Sequence, residues 1–155
     1  MKCAFIAARH GSYDDSLNLS ESGKTQMKQL AEAIQRVING SDLEVSLLCS
    51  TAARAEQGGK ILVEILGIPE DRAVFHECLY VDNYNKGDWK MTEELVEKFL
   101  QDGKVVVLLS HVDVVPAIAR FAARKIGVQG DSIRDVGYGR GWMVTPGSVS
   151  IVPQA

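Results

Sequence analysis

The feature that most constrains the fold of this chain is a set of apolar runs, "AFIAA" at residues 4–8, "EVSLLC" at 44–49 and "KVVVLLS" at 104–110. A strand exposed on one face alternates apolar with polar residues, whereas continuous runs suit strands buried on both faces. Such strands need helices on either side, and the segments between the runs supply them. "LSESGKTQMKQLAEAIQRVING" sets Met27, Leu30, Ala31, Ile34 and Ile38 at helical spacing, with Ser20 or Ser22 as a cap and Gly40 as a stop. "TAARAEQGGKILVEILGIP" reads as a second helix ended by Gly67 and Pro69, and "MTEELVEKFL" as a third. "VVPAIARFAARKIG" is a fourth, with Pro116 tolerated in its first turn. "AVFHECLYV" at 73–81 predicts a further strand, and the polar "DNYNKGDWK" after it a loop of a length that is often functional. "GWMVTPGSVSIV" resembles a hairpin around Pro146 and Gly147. The expectation is an α/β protein: a three-layer α/β/α sandwich, its central sheet mainly parallel with an antiparallel C-terminal edge hairpin, formed as one domain over 1–155.

Composition limits what such a domain can do. The 155 residues are 46% apolar and 24% charged, with a formal charge of −3. No face gathers a run of Lys and Arg, which argues against nucleic acid as a partner. The cysteines are Cys3, Cys49 and Cys78, an odd number with no CxxC and no metal-ligand spacing to His10, His76 or His111. They read as reduced thiols, and neither a metal nor another cofactor is expected. The first apolar run is too short for a secretory segment, and no stretch approaches the roughly 20 apolar residues of a membrane span. The expected compartment is the cytoplasm, away from a membrane; the oligomeric state is open.

In open sheets of this kind ligands bind beyond the carboxyl ends of the strands. The residues there are Arg9, His10 and Gly11 after the first run, Ser50 with Arg54 one helical turn later after the second, and Ser110 and His111 after the last. Two histidines and two arginines thus gather at one edge. Arginine presents a planar fork of donors matched to phosphate oxygens and stays charged at any relevant pH. A neutral imidazole can attack phosphorus and split one hard displacement into two easier ones, provided its other nitrogen donates to a fixed acceptor. Gly11 would let backbone and phosphate approach closely. The chemistry that fits is phosphoryl transfer.

"ARHG", "LSESGKTQMKQLAEAI", "CSTAARAEQGGKIL" and "VVLLSHVDVVPAIARF" resemble, in order and spacing, the histidine phosphatase superfamily, also called phosphoglycerate-mutase-like. The resemblance covers nearly the whole chain, and the small size without cap insertions is most similar to the short phosphohistidine phosphatase branch. It implies that His10 is the phosphorylated nucleophile, that Arg9 and Arg54 bind the phosphoryl group, and that His111 completes the pocket and stabilises the transferring charge. The substrate so implied is a phosphorylated small molecule or a phosphohistidine protein. The second motif departs from the family pattern, with Thr51 in place of a proline and Gly58 in place of a threonine. The family commonly places its proton donor near the end of the third strand, where this chain offers Glu77, the preferred acid, and then Asp82. A mutase of the phosphoglycerate type is the nearest alternative, although little chain remains for a closing lid. The other is a catalytically silent phospholigand-binding module on the same fold, suggested by the altered motif.

Three further features read as structural. His76 beside Glu77 suits a packed or edge position, "GYGRGW" lacks the helix that a glycine-rich nucleotide loop requires, and Trp89 and Trp142 suit packing better than a pocket mouth.

Overall fold

The computed structural model describes residues 3–154. In chain order the elements are β1 (Cys3–Arg9), α1 (Glu21–Ile38), β2 (Glu44–Cys49), α2 (Ala53–Leu66), β3 (Ala73–Phe75), α3 (Trp89–Phe99), β4 (Lys104–Ser110), α4 (Val114–Ile126), β5 (Gly141–Thr145) and β6 (Ser148–Val152). One sheet takes them in the order β3-β2-β4-β1-β5-β6. The pairs β1–β4, β2–β4 and β2–β3 are parallel, and β1–β5 and β5–β6 antiparallel.

Alternate residues of the central strands enter different cores, which is why the runs are apolar throughout. On one face Ile6, Ala8, Leu47, Cys49, Val107 and Leu109 pack with Met27, Leu30 and Ile34 of α1 and Leu62 of α2. On the other, Phe5, Ala7, Leu48, Val106 and Leu108 pack with Val96 of α3 and Ile118 and Ala122 of α4. The molecule is the expected three-layer sandwich, with α1 and α2 on one side and α3 and α4 on the other. No helix of the described residues is long and apolar enough to cross a membrane.

Helix ends follow local chemistry. Ser20 Oγ accepts the Gly23 N–H at the start of α1, and Asp88 Oδ1 accepts the Met91 N–H at the start of α3, which therefore begins at Trp89, inside the expected loop. Gly67 and Gly127 close α2 and α4 at φ +66° and +88°, in the left-handed region.

The third strand is shorter than expected. It spans three residues, because β2 ends at Cys49 and the His76 N–H to Cys49 carbonyl bond (2.9 Å) is the last that β2 offers. Beyond it the His76 ring turns the chain by accepting the Cys78 N–H at Nδ1 (2.9 Å), and Glu77–Leu79 form a 3-10 turn. Glu77 thus sits on an exposed turn rather than on a strand.

Leu47 is fully buried between the sheet and the α1–α2 layer. Leu47→Ala should lower the unfolding free energy by about 2–5 kcal/mol in urea denaturation, while Glu32→Ala on the exposed side of α1 should stay within about 0.5 kcal/mol of the parent. Equal effects at the two positions would contradict the layer assignment.

Candidate active site

The register of the parallel strands brings the site together. Arg9 pairs with Ser110 and Cys49 with Leu109, so the next residues, His10, Ser50 and His111, leave the sheet side by side. The His10 N–H donates to the Ser110 carbonyl (3.1 Å), and Ser110 Oγ to the Leu79 carbonyl (2.7 Å). The two imidazoles lie 5.1 Å apart between centroids at 72°, and are only 3% and 4% exposed.

His10 Nδ1 lies 2.8 Å from the Gly11 carbonyl oxygen. A carbonyl only accepts, so the hydrogen sits on Nδ1 and the lone pair on Nε2. Burial lowers the His10 pKa to about 4; the Gly11 bond opposes the shift, and the Arg54 and Arg9 guanidinium groups add to it. Burial, His10 and the same arginines take His111 to about 3, with Asp82 pulling the other way. His111 Nε2 is 2.8 Å from Ser50 Oγ, which accepts the Ala52 N–H at 3.2 Å, and Tyr80 stacks on the His111 ring at 5.4 Å. At neutral pH both imidazoles are uncharged.

The arginines supply the charge. Arg54, in the first turn of α2, is 6% exposed, and its solvent-shielded Nε has no hydrogen-bond partner. The nearest carboxylate is Asp82, with Oδ2 3.8 Å from Arg54 Nη2, beyond a hydrogen bond. Arg9 donates from Nη1 to the Val136 carbonyl (3.3 Å) and lies over the Tyr138 ring at 3.9 Å, and its shielded Nε is also unpartnered. Arg9, His10, Arg54, His111, Tyr13 and Asp82 line one cavity of about 210 Å³.

The structure thus brings four of the sequence-selected residues, Arg9, His10, Arg54 and His111, into one pocket. Two others are placed differently. Gly11 does not line it: a Cβ there would come within 2.4 Å of the Gly23 carbonyl oxygen. The glycine is required by close packing on the start of α1, and its carbonyl orients His10. Glu77, the preferred acid, lines a neighbouring depression with His76, Lys86 and Asp88, because β3 ends too early to carry it inward. Asp82, the second choice, lies in the His10 pocket.

Sequence reasoning missed the aromatic wall. Tyr13, Tyr80 and Tyr138 sit in irregular segments without periodicity, and only the folded chain sets them against the histidines and arginines. "GYGRGW" braces the end of β1: the Gly139 N–H donates to the Arg9 and His10 carbonyls (both 3.1 Å), and the Arg9 N–H to the Arg140 carbonyl (2.9 Å). Trp142 is buried and donates from Nε1 to the Arg134 carbonyl; Trp89 is exposed, and neither tryptophan lines the pocket. At Gly58 a Cβ would press on Met27 and Leu109 at 3.2–3.3 Å, so the glycine lets α2 sit close to the core.

No protein-family model and no curated protein sequence matches the chain. Among solved structures, it is similar to a candidate phosphohistidine phosphatase SixA from Nakamurella multipartitia, at 19% identity and TM-score 0.63 over 90% of this chain and 82% of that one. It is also similar to a protein histidine phosphatase SixA complexed with tungstate, at 18% identity and TM-score 0.60 over 96% and 93%. A mycobacterial glucosyl-3-phosphoglycerate phosphatase gives 16% identity and TM-score 0.60 over 96% and 95%. What the chain shares with these proteins is the fold.

Both histidines have folded pKa values below their ordinary 6.5. In that case the unfolded chain binds protons first as pH falls, so their contribution to stability is complete above about 6.5 and is lost as pH falls to about 4 for His10 and about 3 for His111. The unfolding free energy should fall across that window, and a His10→Gln/His111→Gln variant should show a flatter slope. Identical slopes in the two proteins would contradict the neutral buried pair.

Proposed function

We propose that this chain, which has the fold of the histidine phosphatases, is a phosphatase that moves a phosphoryl group to His10 and then to water. The donor is a phosphomonoester or a protein phosphohistidine. The observation that carries this reading is Arg54, a buried guanidinium whose Nε has no partner and whose nearest carboxylate stands 3.8 Å away. A buried cation is costly unless an anion pairs with it. A phosphoryl group in the cavity between Arg9 and Arg54 would pair with both at once.

His10 has what the attack requires. Its Nε2 carries a lone pair, its ring is uncharged at neutral pH, and the Gly11 carbonyl holds its orientation. Attack forms the P–Nε2 bond as the bond to the leaving group breaks, its electron pair departing with that group. Water then attacks the phosphohistidine and the P–Nε2 pair returns to the imidazole. In both steps the arginines and His111 stand beside the phosphoryl oxygens, where prearranged charge and dipoles are worth most. His111 is held by Ser50 and Tyr80 rather than free to swing. The proposed chemistry draws its charge stabilisation from these side chains and calls for no metal.

Reaction of the wild-type chain with a ³²P-labelled phosphoryl donor, quenched within one turnover, should trap an acid-labile, alkali-stable label. His10→Ala should abolish it. His111→Ala should retain labelling at a rate lower by about 10²- to 10³-fold, the usual contribution of one stabilising group. Equal labelling of wild type and the His10 variant would refute the nucleophile. Tight orthophosphate binding without label in the wild type would leave a phospholigand-binding module as the function.

A further inference from the structure

The turn from Val81 to Lys86 is built around one carboxylate. Asp82 Oδ1 accepts the Tyr84 N–H (2.8 Å), the Asn85 N–H (2.7 Å) and the Asn85 side-chain amide (3.0 Å), while the Asp82 N–H donates to the Asn85 carbonyl (2.9 Å). Val81 and Lys86 close the turn as an isolated bridge. One oxygen is therefore fully used within the turn. The other, Oδ2, approaches Arg54 in the His10 pocket, on a side chain 26% exposed.

A carboxylate fixed in this way is a standing anion on the wall of a site that holds an anion. Burial acts to raise its pKa, but the three donors of the turn and Arg54 outweigh that and hold it below the ordinary range. It is thus a poor proton donor to a departing alkoxide, which needs a group that titrates near the working pH. It is well suited to accept a hydrogen bond from a positively charged donor on the leaving group. An N-phosphorylated imidazole protonated on its second ring nitrogen offers such an N–H, and a phosphorylated alcohol does not.

We propose that Asp82 is a specificity-determining residue that accepts a hydrogen bond from the protonated second nitrogen of an N-phosphorylated imidazole, and so selects phosphoryl groups on nitrogen over those on alcohol oxygen. The assignment rests on the phosphoryl transfer to His10 described above. During transfer the P–N bond of the substrate breaks and its electron pair stays on that ring nitrogen. The proton on the second nitrogen remains there, shared with Asp82, so the ring departs as neutral imidazole while His10 Nε2 takes the phosphoryl group. Asp113 also lines the cavity, exposed at its rim and making no side-chain cap bond to α4, so it serves as the comparison carboxylate.

The full-length wild type, Asp82→Asn and Asp113→Asn are compared on N-phosphoimidazole and on p-nitrophenyl phosphate. Asparagine keeps one oxygen for the three donors of the turn and puts an uncharged amide N–H donor where the charged Oδ2 acceptor stood. For Asp82→Asn, kcat/KM on N-phosphoimidazole should fall by about 10- to 100-fold, the scale of one hydrogen bond to a charged group. The rate on p-nitrophenyl phosphate should hold or rise, because an anion has been removed from the phosphate site. Equal losses on both substrates, or the selective loss in Asp113→Asn instead, overturn the assignment. Binding measured in a His10→Ala background needs no turnover: adding Asp82→Asn should weaken N-phosphoimidazole and tighten orthophosphate, and a shift of both in one direction also overturns it. Inverted binding without His10 labelling would sink the transfer reaction and not the recognition; labelling without the inversion would do the reverse.

Discussion

The site depends on the parallel ladder between β1 and β4, which runs from Cys3 opposite Lys104 to Arg9 opposite Ser110. A parallel strand shifted by one residue would turn its whole buried set to the other face. Here that would exchange Ile6 and Ala8, which pack under α1 and α2, with Phe5 and Ala7, which pack under α4. Packing on both faces therefore fixes the register, and the register sets His10 beside His111. Chemistry at the edge of the sheet is positioned by the hydrophobic layers beneath it, with β2 adding Ser50 and the start of α2 adding Arg54 under the same constraint.

Within that frame the site divides its charge sharply. The guanidinium groups are ionised and short of partners; the imidazoles are buried and neutral; the carboxylate is pinned by its own turn. Burial keeps the two imidazoles neutral beside the cations, and the aromatic wall shields the cations without neutralising them. Tyr138 under Arg9 and Tyr13 near Arg54 present ring faces, which attract a cation and leave its hydrogens available to a ligand. Carboxylates in those places would pair with the arginines and compete with any anionic ligand. The Asp82–Arg54 separation of 3.8 Å is the nearest the site comes to that competition.

Much of the fold and the core of the site were legible in the residues, because periodicity and strand-end position are local properties. Arg9, His10, Arg54 and His111 each follow a recognisable strand or open a recognisable helix. At Gly11 a glycine beside a histidine suggests room for a ligand, while the space its missing side chain leaves is filled by the backbone of Gly23, twelve residues on. Glu77 lies outside the His10 cavity for a related reason. "AVFHECLYV" has the composition of a long strand, but a strand lasts only as long as its neighbour, and β2 stops at Cys49.

By itself, then, the sequence determined the layered class of the fold, the four helices, the two-faced burial of the central strands and the charged residues at the carboxyl edge. These follow from patterns that act within a few residues, where side-chain period and local hydrogen bonding dominate. Only the tertiary structure decided which carboxylate enters the pocket, which carbonyl sets the His10 tautomer, and that three tyrosines from separate loops wall the arginines. Such contacts join segments far apart in sequence and carry no periodic mark. They depend on where each strand loses its partner and how closely two backbones can approach, quantities that exist only once the chain has packed.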